Sequence, residues 1–107
     1  MNHKIVFIPE AAKDYRELDG SVRRDVNRKI DELQNNPFLG HKLGKKFNID
    51  LTEFFRLYVH GKKYRIVYRL TDENTIEIIE IWGTAKREKE EIYRIISSRL
   101  TKKGYRK

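Results

Sequence analysis

Three segments rich in β-branched and aromatic residues follow one another between residues 51 and 82, and only short turns separate them. The segments span residues 51–60, 63–71 and 75–82. Turns this short join antiparallel neighbours, because a parallel crossover needs about a dozen residues or more. The pattern therefore predicts an antiparallel meander and excludes a fold in which helices alternate with these strands.

Two helices are predicted before the meander and one after it. A strand over residues 4–8 ends at Pro9, and proline there favours the first turn of a helix over residues 9–18. Apolar residues at helical spacing predict a second helix over about 22–35 and a last one over 86–100. The expected fold is α+β with the order β-α-α-β-β-β-α, in which a helical hairpin and the C-terminal helix pack on an antiparallel sheet.

The remaining segments set the expected domain organisation. Residues 37–46 are rich in glycine and lysine and are predicted to form a loop. A single domain is expected over residues 1–100, followed by a basic tail over 101–107. No apolar run is long enough for a signal peptide or a membrane span, so we expect a cytoplasmic protein with no membrane partner.

The positive charge of the chain is concentrated in two segments. The formal net charge is +8, and residues 42–69 and 86–107 each carry a net +6. Residues 1–41 are neutral overall, whereas residues 70–85 carry a net −4. A localised cationic surface is typical of proteins that bind a polyanion, most often a nucleic acid.

Side chains alternate between the two faces of a strand, which groups basic and aromatic residues on one face of the meander. Phe55, Leu57 and Val59 are expected to point to the core. The residues that would then share the open face are Arg56, Tyr58, His60, Arg65 and Arg69. Cations can contact phosphates and aromatic rings can stack on unpaired bases, so such a face suits RNA.

Standard catalytic and metal-binding motifs are absent from the sequence. There is no cysteine, and His3, His41 and His60 lack metal-ligand spacing, with His41 predicted to lie in the loop. The glycines match neither a phosphate-binding loop nor a dinucleotide fingerprint. We therefore expect no metal and no small-molecule cofactor, and the catalytic groups of an enzyme on this chain would be cationic and phenolic.

Four stretches of the chain resemble the RelE/ParE superfamily of bacterial toxins from type II toxin–antitoxin pairs. They are residues 7–14, 36–43, 55–57 with 64–68, and 86–93. They are distributed along nearly the whole chain to Leu100, and the superfamily has the same expected order of elements. The last two stretches are the more specific, because the RelE branch carries its active site there.

Resemblance to the RelE branch implies a ribosome-dependent endoribonuclease that cuts mRNA in the ribosomal A site by attack of a ribose 2′-OH. Because the residues offer no metal-ligand cluster, we expect this cleavage to be metal-independent. The matching catalytic positions are Arg56, Arg65, Arg87 and Tyr93. The branch has a second lysine where this chain has Tyr58, so Tyr58 and His60 are further candidates for the catalytic set, His60 as the missing base. The basic side chains expected to contact RNA are Lys45, Lys46, Lys62, Lys63, Arg69 and Lys86.

The same resemblance implies the partners and leaves two alternatives. The expected partners are a cognate antitoxin, acidic or amphipathic, together with the ribosome and mRNA. One alternative is a ParE-like inhibitor of DNA gyrase. Arg87 and Tyr93 count against it, because that branch generally lacks this arginine and tyrosine. The other is an inactive RNA-binding relative, which the missing second lysine keeps open.

Overall fold

The computed structural model describes residues 3–46, 48–72, 74–83 and 89–102, which form five strands and three helices. In chain order these are β1 (Lys4–Phe7), α1 (Pro9–Arg16), α2 (Gly20–Asn35), β2 (His41–Lys46), β3 (Ile49–Val59), β4 (Tyr64–Asp72), β5 (Thr75–Gly83) and α3 (Lys89–Lys102). The strands form one sheet in the order β1-β5-β4-β3-β2. The α+β class and the meander of β3, β4 and β5 are confirmed.

The sheet has one more strand than predicted. The prediction of a loop over residues 37–46 is wrong for its second half, because His41–Lys46 pairs antiparallel with β3 at the edge of the sheet. An edge strand tolerates lysine and glycine, since one of its sides faces solvent, and its sequence therefore lacks an apolar alternation. The sheet is also mixed, because β1 pairs parallel with β5.

The helical hairpin agrees with the sequence pattern except at its ends. Pro9 begins α1 as predicted, but α1 stops at Arg16, and α2 begins at Gly20, with Asp19 rather than Ser21 as its N-cap residue. The predicted apolar face of α2 is buried throughout. Its members are Val22, Val26, Ile30 and Leu33.

Helices cover both faces of the sheet. Directly opposed residues of antiparallel strands lie on the same face, so Arg56, Val67 and Glu80 form one row across β3, β4 and β5. Tyr64 lies on the other face, where the helical hairpin packs. Val67 and Glu80 are nevertheless fully buried, and α3 contacts both β3 and β5. The face that carries this row, which we name the α3 face, is therefore partly covered and not open as predicted.

Arg99 ties α3 to the rest of the fold. Its guanidinium donates two hydrogen bonds to the carboxylate of Asp14 in α1, at 2.8 and 3.2 Å, and one to the backbone oxygen of Ile79 at 2.8 Å. Burial lowers the pKa of Arg99, but the hydrogen bond to Asp14 and the nearby carboxylates outweigh burial and raise it. The cation is therefore retained, and α3 stays docked against β5 and α1.

The C-terminal end of α3 differs from the predicted one. The predicted start at residue 86 lies outside the described residues. The helix continues to Lys102, so the first two residues of the predicted tail are helical. Within the described residues, no helix is both long and apolar enough to cross a bilayer.

Candidate nucleic-acid interface

Arg56 and Tyr58 form a cation–aromatic pair on β3, at the α3 face. The Cζ atom of Arg56 lies 4.8 Å from the centre of the Tyr58 ring, and its Nη1 donates a hydrogen bond to the Tyr58 hydroxyl. Tyr58 is 37% exposed and Arg56 is half-buried. A cation held against an accessible ring places a ligand for phosphate beside a surface for base stacking. The structure brings these two side chains together, as the alternation along β3 predicts.

Tyr93 connects α3 to this part of the sheet. Its side chain is buried, and its hydroxyl donates a 2.7 Å hydrogen bond to the backbone oxygen of Leu43 in β2. Burial raises the pKa of Tyr93, and the nearby charge of Arg56 offsets this only in part. The phenol is therefore protonated at neutral pH, so it can donate a hydrogen bond but cannot serve as a base. Residues of β2, β3 and α3 converge at this point.

Arg65 lies on the α3 face, but the prediction that it is exposed there beside Arg56 is wrong. Its side chain is only 3% exposed, and its Nη2 donates a 3.1 Å hydrogen bond to Oε1 of the fully buried Glu80. A guanidinium under a helix needs a buried counter-ion, and β5 supplies one. Alternation identifies the face of a strand residue but not the element that covers it.

Arg69 also forms ion pairs with carboxylates of the sheet. Its Nε donates a 2.9 Å hydrogen bond to Glu77, and its Nη1 lies 3.8 Å from the carboxylate of Glu53. Arg69 is therefore paired within the sheet and only partly exposed, and its contact with RNA stays a prediction. Two arginines of β4 are thus paired with two glutamates of β5, which explains why the acidic segment 70–85 adjoins the basic segment 42–69.

His60 lies on the side of the helical hairpin, and the structure does not bring it to Arg56 and Tyr58. Its Nδ1 is 2.7 Å from the carboxylate of Asp25 in α2, and its ring lies edge-on to Tyr64 at 6.0 Å. The hydrogen bond with His60 lowers the pKa of Asp25. His60 has a φ of 59°, so the chain has already left the strand there and the alternation of β3 no longer applies.

The predicted RNA-binding lysines whose side chains the structure describes lie at two separate places. Lys45 is exposed on the edge strand β2, beside the start of β3. Lys62 and Lys63 are exposed in the turn that follows the end of β3. Three of the predicted basic residues have side chains outside the described part of the chain. They are Lys46, Lys86 and Arg87.

His41 is the residue near this site that the sequence interpretation missed. It is the first residue of β2 and pairs with Arg56 across the two strands, so both side chains lie on the α3 face. It is exposed, as is Lys45 further along the strand. Recognition of the lysine-rich segment as an edge strand would have placed His41 opposite β3.

Neither the cavity beside the helical hairpin nor any group of described side chains offers a second site for RNA or a site for a metal ion. A cavity of about 240 Å³ lies where Asp14, Glu17 and Asp19 meet the sheet, and its acidic lining does not suit a polyanion. Among the described residues, no three histidine or carboxylate side chains are grouped to hold a metal ion.

Similar proteins with established names share both sequence and fold with this chain. The mRNA interferase toxin RelE of Escherichia coli (strain K12) is 26% identical over 94 residues, which cover 87% of this chain and 92% of that protein. The crystal structure of the isolated E. coli RelE toxin has a TM-score of 0.64 at 23% identity, covering 92% of this chain and 98% of that one. A chain of the intact E. coli RelBE toxin–antitoxin complex has a TM-score of 0.64 at 24% identity, covering 79% and 99%.

A family model identifies the protein more directly. The family described as ParE toxin of type II toxin-antitoxin system, parDE, matches residues 5–88. This match covers most of the chain, including the hairpin and the meander, and it confirms the resemblance that the four sequence stretches indicate. The chain belongs to the ParE toxin family of type II toxin–antitoxin systems.

Proposed function

We propose that this protein is the toxin of a type II toxin–antitoxin pair and inhibits translation by cutting mRNA in the ribosomal A site. The observation that carries the proposal is the Arg56–Tyr58 pair, a cation and an accessible ring held together where α3 meets β2 and β3. The relative named above is an mRNA interferase, which favours RNA cleavage over inhibition of gyrase.

The reaction requires that a ribose 2′-OH lose its proton and attack the adjacent phosphate, while the 5′-oxygen leaves. The forked donors of Arg56 suit the non-bridging oxygens of the phosphate, on which negative charge builds. The ring of Tyr58 offers a surface on which a displaced base can stack. Tyr93 donates its one hydroxyl proton to the backbone oxygen of Leu43, and so holds α3 against β2 close to Arg56. The products would be a 2′,3′-cyclic phosphate and a 5′-OH.

The other two arginines of the predicted catalytic set, Arg65 and Arg87, are not assigned to phosphate binding here. Arg65 would have to leave the Glu80 carboxylate before it could bind a phosphate, so we assign phosphate binding to Arg56 among the described residues. Arg87 lies outside the described residues, and its role in stabilising charge on the leaving oxygen stays a prediction from the family resemblance.

The decisive experiment compares mRNA on programmed ribosomes with the same RNA in free solution. Single-turnover cleavage, mapped by primer extension, should be fast in the A-site codon and slow on free RNA, because the ribosome imposes the in-line geometry that this small site cannot impose alone. Equal rates on both substrates would contradict ribosome dependence. Inhibition of gyrase supercoiling without cleavage would support the alternative function, and binding without cleavage would indicate an inactive relative.

Cleavage should need no metal ion supplied by the toxin. The proposed groups are the guanidinium of Arg56 and the ring of Tyr58, which stabilise negative charge and stack on a base without a metal. Zinc or manganese added to preassembled ribosome–message complexes, whose own magnesium is kept, should leave the single-turnover rate unchanged. A requirement for either ion would contradict the arginine-centred mechanism.

An acidic or amphipathic antitoxin segment should neutralise the toxin by covering its cationic surfaces. The basis is the net +6 on residues 42–69 and again on 86–107. Because exposed charge pairs are screened by salt, the affinity of the complex should fall steadily between about 0.05 and 0.5 M salt. Calorimetry with the co-expressed partner measures this, and an affinity that does not change with salt would indicate an apolar interface instead.

A further inference from the structure

The three histidines of the chain have different surroundings. His3 lies 3.3 Å from the backbone oxygen of Gln34, and His60 lies 2.7 Å from the carboxylate of Asp25, each through its Nδ1. His41 is exposed, and within the described part of the chain neither of its ring nitrogens has a hydrogen-bond partner. Of the three imidazoles, that of His41 is the one available to an incoming ligand.

The position of His41 beside Arg56 is fixed by the turn that precedes β2. Gly40 approaches β3 so closely that a Cβ atom there would lie 2.6 Å from the backbone oxygen of Arg56. The buried Tyr68 hydroxyl accepts a 2.9 Å hydrogen bond from the Gly40 N–H and donates one of 2.9 Å to the Pro37 oxygen. Since His41 follows Gly40 directly and pairs with Arg56, its side chain starts about 4.5–5.5 Å from that of Arg56, measured between Cβ atoms.

We propose that His41 is the general base of the cleavage reaction and takes the proton from the ribose 2′-OH, an assignment that rests on the proposed function. A base must lie within reach of the proton that it removes, and the pairing of His41 with Arg56 puts an imidazole beside the group that would hold the phosphate. Histidine is also the side chain best suited to exchange a proton near neutral pH.

The other groups described around His41 are poor bases. Arginine keeps its proton in proteins, which excludes Arg56. Tyr93 donates its hydroxyl proton to the backbone of Leu43, and burial keeps its pKa above the usual value for a phenol. The hydroxyl of Tyr58 accepts a hydrogen bond from Arg56, which occupies it as an acceptor. His41 therefore fills the role left open where the RelE branch has a second lysine.

The step balances with no co-reactant other than solvent protons. The neutral imidazole of His41 takes the 2′-OH proton while a bond forms between O2′ and phosphorus. The bond between phosphorus and O5′ breaks, and the leaving oxygen takes up a proton from solvent. The imidazolium then returns its proton to solvent, so the products are a 2′,3′-cyclic phosphate and a 5′-OH.

The test is the pH dependence of single-turnover cleavage on programmed ribosomes by the wild type, His41→Gln and His60→Gln. The wild-type rate should rise with pH and then level off as the imidazole loses its proton. His41→Gln should lower the plateau by ~10²–10⁴-fold and abolish the acidic limb, because a positioned general base contributes this much. His60→Gln is the matched control and should keep the wild-type rate and profile. Added imidazole should restore part of the activity of His41→Ala.

The outcomes distinguish failure of the His41 assignment from failure of the proposed function. A His41→Gln protein that cleaves at the wild-type rate, with the acidic limb intact, overturns the assignment of His41 and leaves the proposed function standing. A wild-type protein that cuts neither programmed ribosomes nor free RNA overturns the proposed function and this role with it. A binding assay separates loss of chemistry from loss of affinity. His41→Gln should bind ribosomes within about threefold of the wild type, since many other cations contribute to that contact.

Discussion

The Arg65→Met protein is expected to lose about 3–5 kcal/mol of unfolding free energy, because the buried carboxylate of Glu80 would lose the charge and the hydrogen bond that Arg65 supplies. Glu80 is fully buried, and the 3.1 Å hydrogen bond from Arg65 is made where solvent cannot replace it. A loss of this size is a large fraction of the about 5–15 kcal/mol that stabilises an ordinary domain. Urea unfolding followed by circular dichroism measures it.

Two further variants test whether the effect comes from the broken pair. The double variant Arg65→Met with Glu80→Leu removes both charges and should recover most of the loss, since apolar side chains of similar volume can replace a buried ion pair at little cost. Arg69→Met is the matched control on the same strand, and its side chain is 15% exposed against 3% for Arg65. It should lose less stability because solvent reaches its ion pairs. An Arg65→Met protein as stable as the wild type would contradict the structural role.

The Arg65–Glu80 pair also marks a limit of sequence interpretation. Alternation along β4 places Arg65 correctly on the α3 face. The periodicity of the last helix shows that it has an apolar stripe, and Ile96 of that stripe is fully buried. Neither the alternation of β4 nor the periodicity of α3 predicts that this helix packs over Arg65. Whether a strand residue is covered depends on tertiary packing, so alternation alone predicts an exposed Arg65.

Two other differences arise where the local strand pattern is missing or ends. β2 carries no apolar alternation, so only its pairing with β3, in which His41 lies opposite Arg56, reveals that it is a strand. His60 follows the period of β3 in sequence but has a positive φ, which ends the alternation. The meander, the helical hairpin and the Arg56–Tyr58 pair were predictable because each depends on a local period or a short turn.

Arg56→Ala is expected to slow single-turnover cleavage on programmed ribosomes by ~10²–10³-fold, equivalent to about 2.7–4 kcal/mol of transition-state stabilisation. Negative charge grows on the phosphate as the 2′-oxygen attacks, and a guanidinium already oriented by the Tyr58 hydroxyl stabilises that charge without reorganising. Arg56→Lys should recover only part of the rate, since an ammonium provides a point charge in place of the planar fork.

Three comparisons make the assignment of Arg56 specific. Lys63→Ala removes an exposed cation beyond the end of β3 and should change the rate only slightly, although it removes the same formal charge. Tyr58→Phe keeps the ring but removes the acceptor that orients Arg56, so its rate should fall between those of the wild type and Arg56→Ala. Ribosome affinity should fall much less than the rate in Arg56→Ala, because binding of a polyanion is spread over many cations. Near-wild-type cleavage by a folded Arg56→Ala protein would refute phosphate stabilisation by this residue and favour Arg87, another member of the predicted catalytic set, for that role.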